Sequence, residues 1–435
     1  MEEISWNNKL NHMYTKHILP NGLRVILAPM ANTETITALF LVGTGSKYET
    51  KNISGISHFL EHLAFKGTKK RPRPKDITLE IDAVGGEINA FTSQEHTGYY
   101  IKANFAHAEL ALDIISDIAL NSVFPTAEIE KERGVIIEEI NMYEDLPMQK
   151  VAMLWDEILY GNQPAGWPIL GQKEIIKNMA RPEIINYWQN QYNAKNGLVI
   201  LAGNLSKIKE PKKIVEKYFK NINRDNGQKK LPVKEKQQAP QALIFQKETD
   251  QTHLIIGFKG GSLQNEATRR PLNILSAMLG GYMSSRLVQE IREKRGLAYY
   301  VGSVASFTTD PGFIAARAGV PNNKAKEAVN LILKEFKKIK EGKFSAKEIN
   351  MAKNNLIGQL SLNLESSDAI AGFLGEQELL QNKILTPEQI FGKIKAIEET
   401  ELKQTAKKIF ASQKLNLALI GPFKEKEEFK KLLKI

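Results

Sequence analysis

The sequence predicts an α+β protein built from two similar domains, and three observations carry that expectation. The chain has 435 residues, more than one hydrophobic core usually organises. It also repeats itself. "KNGLVILAGNLSKIKEPKKIVEKYF" from Lys195 resembles "KLNLALIGPFKEKEEFKKLLKI" from Lys414, each an extended run, a Gly turn and an amphipathic Lys/Glu helix. "TAEIEKERGVIIEEI" from Thr126 likewise resembles "SAKEINMAKNNLIGQL" from Ser345, both read as helices with Thr126 or Ser345 as the cap. Between the halves, residues 221–241 are polar and carry Gly and two Pro, the composition of a linker. The expected domains are therefore 1–220 and 242–435.

In the first half, "LRVILAP", "ITALFLVGTGS" and "GYYIKANF" read as strands, and "AHAELALDIISDIALN" has apolar residues at helical spacing. In the second, "ALIFQ", "HLIIGFKGGS" and "GFIAARAG" read as strands and "NKAKEAVNLILKEFKKIKEG" as a helix. Strands and helices do not alternate strictly, so two α+β domains are expected rather than one doubly wound sheet.

Composition narrows the function classes. No cysteine is present, which excludes disulfides, thiolate nucleophiles and Cys-based zinc sites, so a metal would have to be held by His and carboxylates. The acidic start "MEEISWNNKL" lacks the features of a signal peptide, and no apolar run approaches the roughly 18 residues of a spanning helix. A cytoplasmic protein without membrane partners is expected. The net charge of +11 raises nucleic acid or anionic lipid as a partner. The lysine clusters are mixed with Glu and lack aromatic interleaving, so they read as solvated surface and no nucleic-acid partner is expected.

"GISHFLEHLAFKGT" (residues 55–68) carries two of the seven histidines. Ile56, Phe59, Leu60 and Leu63 set a helical period that points His58, Glu61 and His62 the same way. Two imidazoles one turn apart can share a Zn²⁺ while the neighbouring carboxylate takes a proton from water. By residue frequency, His-x-x-Glu-His arises by chance in roughly one such chain in a hundred. A metal site is thus preferred to a helix with two surface histidines. The remaining histidines, His12, His17, His96, His107 and His253, sit in no comparable setting. A third ligand is sought in "EIEKERGVIIEEINMYED", where Glu132 and Glu139 lie two turns apart on one face, the side near Val135 and Ile136. A Glu there is costly to bury unless it meets a cation. Glu128, Glu130 and Glu144 fit a solvated face, and spacing alone leaves Glu138 as a competitor to Glu139.

With "ERGVIIEE", "GGEINAFTSQEHTGYY" (residues 85–100) and "SSRLVQEIREKRGLAYYVGS" (residues 284–303), the inverted His-x-x-Glu-His resembles the inverzincin, or pitrilysin/M16, zinc metallopeptidases, in particular the processing-peptidase-like M16B subgroup. The resemblance covers nearly the whole chain. It implies that His58, His62 and Glu139 bind one zinc ion per chain, that Glu61 is the general base and that Glu132 orients a ligand from the second shell. Asn89, Ala90 and Phe91 would form an edge strand to which an extended peptide adds. Arg292 and Tyr299 would steady the carbonyl oxygen as charge develops on it, with Arg295 the nearby competitor to Arg292. In the second half Ser276 and Ala277 stand where Glu61 and His62 stand in the first, and Ala352 and Gln359 stand for Glu132 and Glu139, so only the first half is expected to hold metal. The implied activity is zinc-dependent endopeptidase action on extended peptides or unfolded termini. The ligand set also admits Mn²⁺ or Co²⁺. Larger relatives close four such domains around a chamber, so a two-domain chain implies a homodimer with shared sites, or pairing with an inactive relative. An inactive structural subunit and a basic binding module are the competing classes.

Overall fold

The computed structural model describes residues 13–224 and 227–435, so His12 lies outside the described residues. The strands are β1 (Thr15–Ile18), β2 (Arg24–Pro29), β3 (Thr35–Val42), β4 (Glu87–Thr92), β5 (Thr97–Asn104), β6 (Gly197–Gly203), β7 (Gln241–Gln246), β8 (Gln251–Lys259), β9 (Tyr300–Ser306), β10 (Phe313–Pro321) and β11 (Leu415–Gly421). The first-half helices are α1 (Ile56–Ala64), α2 (Pro74–Asp82), α3 (Ala108–Leu120), α4 (Thr126–Asp145), α5 (Pro147–Tyr160), α6 (Lys173–Asn178), α7 (Arg181–Gln191) and α8 (Pro211–Phe219). The second-half helices are α9 (Glu266–Gly280), α10 (Ala325–Lys340), α11 (Ala346–Asn363), α12 (Ser367–Gln381), α13 (Pro387–Ala396), α14 (Glu399–Ile409) and α15 (Lys426–Lys430).

The repeat read from the sequence is a repeat of topology. One sheet runs β1-β2-β6-β3-β5-β4 and the other β7-β11-β8-β10-β9. In each, the strand of the repeated Gly-turn motif, β6 or β11, pairs parallel to one neighbour (β2 or β7) and antiparallel to the other (β3 or β8). The fold is α+β, two similar domains with helices packed on a sheet. The quoted strand and helix segments all take the expected form. Of the two cap readings one holds. Ser345 accepts from the Glu348 amide while Glu348 accepts from the Ser345 amide, a capping box. Thr126 is instead the first residue of α4 itself, with the amides of Glu128 and Ile129 bonded to the Pro125 carbonyl.

The expected boundaries at 1–220 and 242–435 need correction. Among the described residues, one compact unit is drawn from 13–140, 168–231 and 362–386, and the other from 141–167, 232–361 and 387–435. The helix that follows α4 in the first repeat, α5, belongs to the second unit, and the helix that follows α11 in the second repeat, α12, belongs to the first. Burial explains this. In the first unit Ile370, Ala371 and Leu374 of α12 lie in one core with Ile26, Leu39, Leu41, Leu198 and Ile200 of the sheet, and each such large side chain contributes about 1.5–3 kcal/mol when removed from water. Polar contacts set the register: Ser367 Oγ lies 2.8 Å from Thr37 Oγ1, and Lys102 pairs with Asp368 at 2.7 Å. In the second unit Val151, Leu154 and Trp155 of α5 pack with Ala315, Ala418 and Ile420, and Trp155 meets Phe313 edge to face at 5.4 Å.

At Gly375 α12 lies tight against its sheet, since a Cβ there would stand 2.5 Å from Leu41 Cδ1 and 3.0 Å from Ile200 Cδ1. Gly375→Leu should therefore cost about 1–3 kcal/mol through overpacking. Urea unfolding would measure this, and an unchanged midpoint would mean that α12 does not pack tightly on the first unit.

Candidate metal centre

The helix α1 is preceded by its N-cap, Gly55, whose φ of 93° lies in the left-handed region. A Cβ at this position would also sit 2.7 Å from Gly171 Cα and Leu170 O, so conformation and space both call for glycine. Ile56, Phe59, Leu60 and Leu63 are fully buried, and the helical period leaves His58, Glu61 and His62 to face α4. On α4, Ile129, Glu132, Ile136 and Ile140 are buried while Val135 is half-exposed. The apolar side near Glu132 and Glu139 is thus carried by the isoleucines and not by Val135.

His58 Nε2 and His62 Nε2 stand 3.6 Å and 3.5 Å from the same oxygen, Glu139 Oε2. These three residues form a group able to hold a metal ion among the described residues. The separations suit donors on neighbouring corners of a tetrahedron about zinc, roughly 3.4 Å apart for bonds of about 2.0–2.1 Å. Glu138 is exposed, and geometry selects Glu139 over it. Zinc fits this donor set of two imidazoles and one carboxylate.

Neighbouring groups define the electrostatics. Glu132 is buried, its Oε2 3.1 Å from His62 Nδ1 and its Oε1 2.8 Å from Lys66 Nζ. This is the pairing a buried carboxylate requires, and it commits His62 Nδ1 to Glu132 so that Nε2 faces Glu139. Burial works against a charge on His62, but hydrogen bonds to Glu139 and Glu132 outweigh it and raise its pKa. Burial, with His62 beside it, holds His58 well below the usual histidine range. The hydrogen bond from His62 holds Glu139 below the usual carboxylate range, so the site presents a neutral His58 and an ionised carboxylate, the forms that ligate. Burial raises the Glu61 carboxyl, while a 2.5 Å hydrogen bond from Thr92 Oγ1 opposes the rise.

Thr92 closes β4, which is the edge strand of its sheet. Asn89, Ala90 and Phe91 lie on β4 and pair with Tyr100, Tyr99 and Gly98 of β5 on one side only. Arg292 and Tyr299 lie in the second unit. Arg292 sits in a π-helical turn, Val288–Glu293, with its side chain 46% exposed, and Tyr299 is 83% exposed just before β9. Arg295 is engaged by Glu290, both of whose contacts are at 2.7 Å. The other histidines are occupied elsewhere: His17 with Thr15, His96 against the Phe91 ring and His253 on the Tyr300 hydroxyl, while His107 is half-buried before α3. Three residues of the site have no signal in the spacing: Thr92, Lys66 and Glu49, whose carboxylate accepts from the amides of Gly55 and Ser57.

Residues 24–173 match insulinase (peptidase family M16), and residues 178–356 match the peptidase M16 inactive domain. The chain belongs to peptidase family M16. It is 35% identical to the uncharacterized zinc protease YmxG of Bacillus subtilis, over 94% of this chain and 98% of that protein. An uncharacterized zinc protease of Rickettsia bellii is also 35% identical, over 93% and 96% of the two chains. Among solved structures, a protease from Helicobacter pylori superposes with a TM-score of 0.88 at 25% identity, covering 94% of this chain and 99% of that one. Ser276, Ala277 and Ala352, which stand in the second half for Glu61, His62 and Glu132, fall within the stretch matched to the M16 inactive domain. Among the described residues no helix is long and apolar enough to cross a membrane.

His58→Ala and Glu139→Gln should each lose bound zinc, whereas Glu61→Gln should retain it. Glu132→Ala should weaken zinc binding about 10- to 100-fold, the usual effect of losing a group that orients a ligand. Metal analysis after dialysis checks all four, and full zinc occupancy in Glu139→Gln would move the third ligand elsewhere.

Proposed function

We propose that this M16 protein is a zinc-dependent endopeptidase acting on extended peptides and unfolded termini, with one zinc ion held by His58, His62 and Glu139. The observation that carries the reading is the convergence of the two Nε2 atoms on Glu139 Oε2, with Glu61 on the same helix bonded to the end of an edge strand. Zinc, when bound, polarises a peptide carbonyl and acidifies water. Glu61 would act as the base toward water and pass the proton to the leaving amine, its carboxylate held by the hydrogen bond from Thr92 Oγ1. Glu132 orients His62. Asn89, Ala90 and Phe91 offer main-chain groups to an added strand, a mode that reads backbone more than side chains and so tolerates many sequences. Digestion of a peptide library, read by mass spectrometry, should give internal cleavages that vanish with chelator and in Glu61→Gln. Cleavage persisting in both would rule out this chemistry.

Arg292 and Tyr299 complete the proposal as donors to the developing oxyanion. The exposure of both side chains supports a role toward something outside their own unit, whereas Arg295 is already engaged by Glu290. The assembly we propose is a two-fold homodimer, each site combining His58, Glu61, His62 and Glu139 of one copy with Arg292 and Tyr299 of the other. Mixing Glu61→Gln with Tyr299→Phe, each nearly inactive alone, should restore about half the wild-type activity per mixed dimer, because one of two sites regains both parts. Demonstrated subunit exchange without recovery would refute the shared site.

A further inference from the structure

The two histidines of the metal centre are steadied by different means. His62 is oriented through its side chain, since Nδ1 is bonded to Glu132. The His58 Nδ1 is buried and has no hydrogen-bond partner among the described residues, so no hydrogen bond at that atom orients the ring. What directs it is the main chain of the first turn of α1. That helix has nine residues, and its N-cap, Gly55, has no side chain to cap it. The unmet amides are taken by a distant carboxylate. Glu49, 3% exposed, accepts the Gly55 N–H at Oε2 (2.6 Å) and the Ser57 N–H at Oε1 (2.9 Å). The two bonds do the work of an N-cap side chain. Ser57 is gripped from a second direction: its Oγ lies 3.0 Å from the Tyr187 hydroxyl, itself 2.8 Å from Thr44 Oγ1. His58 is the next residue along.

We propose that Glu49 is a positioning residue of the metal centre, a two-pronged latch on the first turn of α1 that sets where His58 Nε2 points. The proposal rests on the zinc site proposed above. A ligand set performs only when held to within about 0.5 Å of its working geometry, and the His58 Nδ1 has no hydrogen-bond partner among the described residues to make good a displaced turn. A carboxylate suits the task because each of its oxygens accepts one N–H. An amide of the same size would turn its NH₂ toward one of the two donors and lose that bond.

The test is the zinc affinity of the full-length protein, measured by competition with a chromogenic chelator well below the unfolding temperature. Glu49→Gln should bind zinc about tenfold more weakly, at the lower end of the effect of removing a group that supports a ligand. Ile200→Ala, in the core between the sheet and α12, lowers stability without touching the latch and should leave affinity unchanged. Equal affinity in Glu49→Gln and wild type, or an equal loss in Ile200→Ala, would overturn the assignment. If Glu49→Gln does not fold, Tyr187→Phe decides. It removes the hydroxyl at Ser57 and should weaken zinc binding several-fold, and an unchanged affinity there overturns the latch. A wild-type protein whose zinc is not lost in His58→Ala would instead overturn the functional reading, and the latch with it.

Discussion

A buried carboxylate, Glu132, organises the centre of the first unit. It lies on α4 yet spends both oxygens on α1 and the residues just beyond it, one on His62 and one on Lys66. Removing one member of a buried charged group typically costs about 3–5 kcal/mol, because the partner is left uncompensated. The two helices are therefore locked in a single register, and that register delivers Glu139, two turns further along α4, to the space between His58 and His62. The convergence of His58, His62 and Glu139 is a consequence of a charge that has to be satisfied.

The second unit shows what the same scaffold looks like without the chemistry. Ser276 and Ala277 occupy the turn of α9 that corresponds to Glu61 and His62, and fully buried Ala352 stands on α11 for Glu132. The contact from helix to edge strand persists in muted form. Where Thr92 of β4 bonds Glu61, Ser303 of β9 lies 3.2 Å from Ser276, hydroxyl to hydroxyl. The hydrogen bond thus joins two hydroxyls in one unit and reaches the Glu61 carboxylate in the other. The core of the second unit includes the cluster of Phe258, Phe336 and Phe410, whose ring centroids lie 4.9–5.6 Å apart, while Glu348 of α11 pairs with Arg286 at 2.7 Å.

Each unit also contains a helix taken from the other repeat, α12 over the first sheet and α5 over the second. The apolar face of an amphipathic helix states only that it must be covered. Leu374 and Trp155 would be equally well removed from water against either sheet if the side chains opposite were complementary. Contacts such as Ser367 to Thr37 and Tyr160 hydroxyl to the Pro311 carbonyl make the observed choice specific.

By itself the sequence determined the duplication, the α+β class, the strands of both sheets and the helix bearing His58, Glu61 and His62, because each of these follows from local periodicity or from a repeated string. It also confined the His-x-x-Glu-His pattern to the first half, since Ser276 and Ala277 stand in the second where Glu61 and His62 stand in the first. Only the tertiary structure decided between Glu138 and Glu139 on geometric grounds: the two differ by 100° around α4, and which direction faces α1 depends on packing between helices. It alone placed α5 and α12 in exchanged units, so a single cut in the linker misassigns both. It alone disclosed Glu49, Lys66 and Thr92. Their partners are backbone amides and side chains brought near by folding, and no spacing along the chain encodes a hydrogen bond between residues whose separation has no period.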